Sequence, residues 1–545
     1  MCPSSVRLSP ATLDQTAGLP ELKYDRASLR PGIVHLGLGA FHRAHQAVFT
    51  HNVLSQLPAD EAAKWGTVGV SMRSRTMSEQ LGPQEGLYTV HERSSGETNV
   101  VLIGSVLRCV VAGEDPAGVV ELLASPDVRI VSLTVTEKGY CYDPATRELD
   151  LSNADVVHDL DPANAAAPRS AIGVLVAALR LRRDRGVEPF TALSCDNLPH
   201  NGQTLRGCCL TFARRVDPAL ADWLGAAVKF PCTMVDGIVP ATTREDVDSA
   251  CARDGPLRGV TDEAVVVCEP FRQWVVEDDF GPLGRPPWEL AGAQLTADVA
   301  PFEVAKLQCL NGCHSTLAYV GNLCGCDAIS DVMTDPALAA LARALLRLDV
   351  LPALKAPDGV DLVAYADTIL RRFSNTALKH KTAQIATDGS QKLPQRILTT
   401  ARTRLAAASR AQQEQVLDAV APTAPSPDSP GSPAAPLAVV PLTIAAWMRY
   451  VTRTDAAGEP VRVADPLASK FAAIAADAKG DADAILAAML ALAEVFGDDD
   501  LRRDDRFVGA VRTHLRALVK AEGPEATKAY VESVVAGLPA VPAAD

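Results

Sequence analysis

The sequence predicts an α/β protein, a doubly wound parallel-sheet domain followed by a mainly α-helical one. Three observations carry that expectation. Short apolar runs alternate with helical stretches through the first half of the chain, a Gly-x-Gly turn follows the first run, and beyond about residue 290 apolar residues recur at three- and four-residue intervals.

The first run, Gly32-Ile33-Val34-His35-Leu36, reads as a buried strand. Gly37-Leu38-Gly39 then turns the chain, and a helix is expected from Ala40 through Gln46 to Leu54. Further strands are expected at 67–72, 100–103, 128–135 and 190–194, parallel because helices separate them. A strand before the turn and a helix after it bring backbone N–H groups and a positive helix end to where a pyrophosphate binds. Residues 1–290 are therefore expected to form a Rossmann-type dinucleotide-binding domain. The third fingerprint glycine is replaced by His42. Alanine- and leucine-rich windows at 336–348, 395–408, 481–496 and 507–519 predict a helical substrate and catalytic domain over 291–545. Residues 421–441 form a proline-rich tract, read as an inserted surface loop, because proline fits neither a helix interior nor a central strand.

The composition, 48% hydrophobic and 22% charged over 545 residues, is that of a globular chain long enough for two domains. A net charge of −14 argues against a nucleic-acid partner. No apolar run is long enough to span a bilayer and the N-terminus lacks a signal-peptide pattern, so neither a membrane partner nor export is expected and the cytoplasm is the expected compartment. The chain is expected to be a monomer or homodimer. Thirteen cysteines without scaffold spacing predict reduced thiols. Cys309, Cys313, His314, Cys324 and Cys326 match no usual zinc pattern, so no metal is expected.

Lys306, Asn311 and His314 place an amine, a carboxamide and an imidazole at i, i+5 and i+8. On an α-helix, at about 100° per residue, Asn311 lies roughly 140° and His314 roughly 80° around from Lys306, so all three face one cleft together with Glu303. A lysine able to lose its proton acts as a general base, and the other two hydrogen-bond the oxygen whose charge changes. That is the arrangement an alcohol–ketone interconversion needs. At the end of the second strand, Arg73 and Arg75 taken alone favour NADP, since no carboxylate stands there to meet a ribose hydroxyl. The run 371–396 concentrates cations, which suits an anionic substrate.

Read in order, GLGAFHRAH, SMRS with PQEGLYTVHER, TVTEKGY, SCDN, FPCTMVDGIVP, KLQCLNGCHS and RFSNTALKHKTAQIATDGSQKLPQR resemble the mannitol dehydrogenase family of long-chain polyol dehydrogenases. The strings are more similar to its fructuronate reductase branch than to its mannitol dehydrogenases, with Gly237 where an arginine is usual and Thr376 where proline often stands. The resemblance implies zinc-independent hydride transfer between NAD, or NADP as the alternative, and a sugar acid, D-mannonate giving D-fructuronate. A neutral polyol such as mannitol or arabinitol is the second expectation, and a non-catalytic nicotinamide-binding regulator the third. Lys306 is implied as base, Asn197 and Asn311 as the oxyanion pair, His314 as the substrate-positioning group and Glu303 as a proton relay. The implied cofactor contacts are Ile33, Gly37, Gly39, Ala40, Phe41, His42, Arg43, Ala44, Arg73, Thr136 and Lys138. For the substrate they are Arg372, Asn375, Lys379, His380, Lys381 and Lys392.

Overall fold

The computed structural model describes residues 6–15, 19–143, 148–417, 435–455, 458–497 and 500–541. It divides into two compact units, Met1–Ala300 and Pro301–Asp545. The first is built on five parallel strands: β1 (Pro31–Leu36), β2 (Gly66–Ser71), β3 (Val106–Val111), β4 (Ile130–Leu133) and β5 (Thr191–Ser194). Their order across the sheet is β3-β2-β1-β4-β5, the doubly wound arrangement that reverses between β1 and β4.

Both faces of this sheet are covered, which is why its central strands are continuous apolar runs. Val34, Leu36, Val131 and Leu133 meet the helices Pro116–Ala124, Ala171–Asp184 and Asn201–Val216 on one side. Ile33, Ile130 and Leu193 meet Phe49, Val53, Trp274 and Trp288 on the other.

Two expectations are corrected. Residues 100–103 lie in a strand, Glu97–Ile103, that is not part of the parallel sheet; it pairs antiparallel with Tyr88–Ser94 in a separate three-stranded sheet. The strand that fills the edge of the main sheet is β3, where exposed Arg108 breaks the apolar run because an edge strand is only partly covered. The helix expected after the glycine turn is two helices, α1 (Ala40–Ala44) and α2 (Gln46–Leu54). They part at His45, which leaves helical backbone geometry and is held by a 2.9 Å hydrogen bond between its Nε2 and the Gln273 carbonyl.

The first unit continues past residue 290 through the strand Gln294–Thr296, paired with Gln273–Glu277. The second unit is helical, with isolated bridges and no strand among its described residues. The helical windows appear as Pro336–Ala344 with a wider π-helical extension Leu345–Val350, a π-helical Pro394–Leu398 running into Thr399–Leu417, Ala482–Leu490 with Ala493–Phe496, and Asp505–Lys520. Residues 418–434, most of the proline-rich tract, lie outside the described residues. Its end belongs to a helix, Val440–Val451, where Pro441 occupies the first turn and forfeits no intrahelical bond. No described helix is long and apolar enough to cross a membrane.

Candidate active site

The Gly37–Gly39 turn lies at the carboxyl end of β1, where the strand order reverses. Gly37 has φ of +91°, and a Cβ there would stand 2.2 Å from the Thr134 carbonyl oxygen, so only glycine fits. The N–H groups of Gly37 and Gly39 are already donated, to the Val70 and Gly37 carbonyls. The donors left for a ligand are the first-turn N–H groups of α1, on Ala40, Phe41 and His42, and Gly39 brings no side chain to cap them. A cradle of this kind fits a dinucleotide pyrophosphate.

Several side chains expected at the cofactor point elsewhere. His42 is 2% exposed and stacks on His35 at 3.5 Å between ring centres. Arg43 is buried, donating to the Ala264 carbonyl and lying 5.5 Å over the Tyr88 ring, whose hydroxyl donates to the Arg43 carbonyl. Ile33 and Ala44 belong to the core. Phe41 stacks on His45 at 4.9 Å. These contacts hold the turn in shape.

Arg73 is engaged in an ion pair with Asp155, and Arg75 in one with Glu114. Thr136 opens a one-turn helix, Thr136–Gly139, at the carboxyl end of β4, with φ of +64° and an exposed Lys138 two residues on. The strained backbone is held by Asp196, which is not among the expected contacts. Asp196 accepts from the N–H groups of Val135 and Thr136 at 3.0 and 2.9 Å and from the Tyr140 hydroxyl at 2.9 Å. Its neighbour Asn197 is exposed beyond the end of β5. The SCDN and TEKGY strings are thus one hydrogen-bonded structure.

In the second unit, Lys306 ends the helix Ala300–Lys306 and is 5% exposed, with Glu303 half-buried one turn earlier. The next residues, Leu307–Gly312, form a π-helical turn before the α-helix Cys313–Leu323 resumes. This corrects the angular arithmetic. An i→i+5 turn widens the helical repeat, so Asn311 lies closer in angle to Lys306 than the roughly 140° of an α-helix. The turn is pinned where Thr400 Oγ1 donates to Gln308 Oε1 at 3.0 Å, and Gly312 is required because a Cβ there would stand 2.8 Å from the Arg396 carbonyl oxygen.

His314 is 6% exposed, packed 4.2 Å from the Phe373 ring and edge-on to His380 at 5.3 Å. Burial, followed by the positive charges of His380, Arg372, Arg396 and Lys306, holds its pKa well below the usual histidine value. The ring is therefore neutral at neutral pH. Three buried polar atoms here have no hydrogen-bond partner: Asn311 Oδ1, His314 Nε2 and His380 Nδ1. Buried atoms of this kind are normally satisfied, so these three are open to a ligand's hydrogen bonds.

The expected substrate cations separate. Arg372 is 8% exposed and near His314, and His380 packs against it. Asn375 is half-buried just after the helix Leu362–Phe373, its side chain accepting from the Ala377 N–H. Lys379, by contrast, is exposed and paired with Asp331 at 2.8 Å. Lys381 is exposed at the start of the short helix Thr382–Ile385, and Lys392 donates to the Thr387 carbonyl at 2.7 Å. Arg396, not among the expected contacts, is in the His314 environment. Cys309 and Cys313 are core residues, with Cys324 and Cys326 packed against that core. No group of three or more potential ligands for a metal occurs among the described residues.

Two family models match the chain, the mannitol dehydrogenase Rossmann domain over residues 31–290 and the mannitol dehydrogenase C-terminal domain over 298–423 and 434–519. The chain is 42% identical to the D-mannonate oxidoreductase of Escherichia coli K12 over 95% of its own length and 99% of that protein. It is 44% identical to an uncharacterized oxidoreductase of the same organism, YeiQ, over 91% and 94% of the two chains. Among solved structures it is similar to Pseudomonas fluorescens mannitol 2-dehydrogenase in a ternary complex with NAD and D-mannitol, with a TM-score of 0.79, 33% identity, and 98% and 100% coverage.

Proposed function

The chain belongs to the mannitol dehydrogenase family, and from that premise we propose that it is an NAD-dependent oxidoreductase interconverting D-mannonate and D-fructuronate. The observation that supports this reading is that Lys306 leads into a π-helical turn carrying Asn311 and that Asn311 Oδ1 and His314 Nε2 are buried without a hydrogen-bond partner among the described residues.

In the oxidative direction the Lys306 amine takes the proton of the C5 hydroxyl as the C5 hydrogen departs with its electron pair, leaving a ketone. The amide N–H of Asn311 donates to the oxygen while it carries negative charge. His314, neutral, orients the same oxygen without competing for its proton. Glu303, one turn before Lys306, passes that proton to solvent. The Ala40–His42 backbone and the Thr136–Lys138 turn would hold NAD, which when bound would accept the C5 hydride. The likeness to a mannitol 2-dehydrogenase solved with NAD supports NAD over NADP.

A neutral polyol is the second reading. It is favoured by the likeness to the mannitol complex and by the commitment of Lys379 to Asp331.

The purified protein is expected to form NADH from NAD and mannonate. Lys306→Ala should lower kcat about 10²–10⁴-fold while NADH binding, followed by fluorescence, stays within about twofold. A variant keeping more than half the wild-type rate contradicts the assignment of the base.

A further inference from the structure

The strongest demand on the backbone at the mouth of the parallel sheet falls on Thr136. Its φ of +64° puts a β-branched residue in the left-handed region, where such side chains are seldom found. The backbone keeps that shape because the Asp196 carboxylate, just past β5, accepts from two consecutive N–H groups. Thr136 donates to its Oδ1 at 2.9 Å and Val135 to its Oδ2 at 3.0 Å. Oδ2 also accepts from the Tyr140 hydroxyl at 2.9 Å, from the far end of the same turn.

The segment is fastened to the glycine turn as well. Thr134 Oγ1 donates its one proton to the Gly37 carbonyl at 2.9 Å, so it accepts from His35 Nε2 at 2.8 Å. His35 is neutral, because burial lowers its pKa to about 3, and its Nδ1 accepts from Ser132 Oγ at 2.8 Å. The Thr134 carbonyl oxygen lies 2.2 Å from where a Gly37 Cβ would stand. Contacts thus run from Asp196 through residues 134–136 to Gly37, joining the carboxyl ends of β5, β4 and β1 at the point where the strand order reverses.

We infer that Asp196 is a positioning residue for the nicotinamide cofactor: it holds the Val135–Thr136 backbone in its left-handed shape and so sets the wall that residues 136–138 present to NAD beside the glycine turn. This rests on the reading above that the turn holds NAD and is independent of which sugar is oxidised. The place calls for a carboxylate and not an amide. Both oxygens receive N–H donors, so an asparagine there turns its own NH₂ toward one of them. If its oxygen keeps Val135 and Tyr140, the strained Thr136 is the residue released.

The test compares wild type with Asp196→Asn and with Tyr140→Phe, which removes only the side-chain donor. NADH binding is followed by fluorescence, backbone hydrogen exchange is measured without cofactor, and kcat and KM for NAD are taken with whichever of D-mannonate and D-mannitol the wild type oxidises. Asp196→Asn is expected to weaken NADH binding and raise KM for NAD at least about tenfold, with kcat at saturating NAD within about threefold of wild type. Exchange should quicken at residues 135 and 136 and stay unchanged in β4. Tyr140→Phe should keep NADH affinity within about threefold. Unchanged exchange at 135 and 136, or a loss in Tyr140→Phe equal to that in Asp196→Asn, overturns the inference and leaves the cofactor reading intact. Faster exchange with NADH affinity undiminished overturns the reading that this turn holds NAD, and the inference with it. Should Asp196→Asn not fold, Asp196→Glu decides: it keeps the charge but displaces both oxygens by a methylene, so NADH affinity equal to wild type contradicts a positioning role.

Discussion

Arg73 and Arg75 carry the charge of a phosphate-binding pair, yet each is engaged with a carboxylate, Asp155 and Glu114. Their worth to a 2′-phosphate is reduced by the ion pairs it would have to break. Releasing them makes a prediction. The double variant Asp155→Asn, Glu114→Gln should raise kcat/KM for NADP relative to NAD by about tenfold, measured as initial rates with each cofactor, and an unchanged ratio would show that the pairs do not set cofactor choice. The same contrast explains which side chains were legible. Lys306, Asn311 and His314 stood out because they fall within nine consecutive residues. Arg396 did not, because its distance from His314 is set by packing between segments far apart in sequence, and four other cations near it looked equally suitable. His42 and Arg43 sit in a recognisable string, but whether their side chains turn to a ligand or to the core depends on neighbours such as His35 and Tyr88 that the string does not contain.

At the scale of elements, the strand runs and the helical windows were legible because burial on both sheet faces and on one helix face imposes regular apolar spacing. The interruptions were not. A π-helical turn at Leu307–Gly312 and the break at His45 leave the apolar pattern almost unchanged, since each shifts the register by about one residue and is held by tertiary bonds, Thr400 to Gln308 and His45 to Gln273. The helix Val440–Val451 is anchored in the same way. Asp349, fully buried, accepts from the N–H groups of Ala438, Val439 and Val440 at 2.8, 2.7 and 2.8 Å, with Arg404 reaching the carbonyls of Leu348 and Ala435 beside it. Asp349→Ala leaves two buried donors and one part-buried donor without an acceptor and should destabilise the C-terminal unit by about 3 kcal/mol in chemical denaturation, with Asn, which keeps one acceptor oxygen, in between. A loss below about 1 kcal/mol would show that water replaces the carboxylate at no cost.

Over the whole molecule, the α/β-then-helical order follows from sequence periodicity, and membership of the mannitol dehydrogenase family agrees with the motifs that run through both units. What periodicity does not carry is the charge of the substrate, because that depends on a few side chains at one end of one site. The central claim is that this family scaffold serves a sugar acid, and the most direct measurement is the ratio of kcat/KM for D-mannonate to that for D-mannitol, with NAD, at low and high salt. The account predicts a ratio of at least about ten, corresponding to roughly 1.4 kcal/mol of differential transition-state binding, that shrinks as salt screens the carboxylate. A ratio below one at both salt concentrations would contradict it and make the protein a polyol dehydrogenase working through the same Lys306 turn.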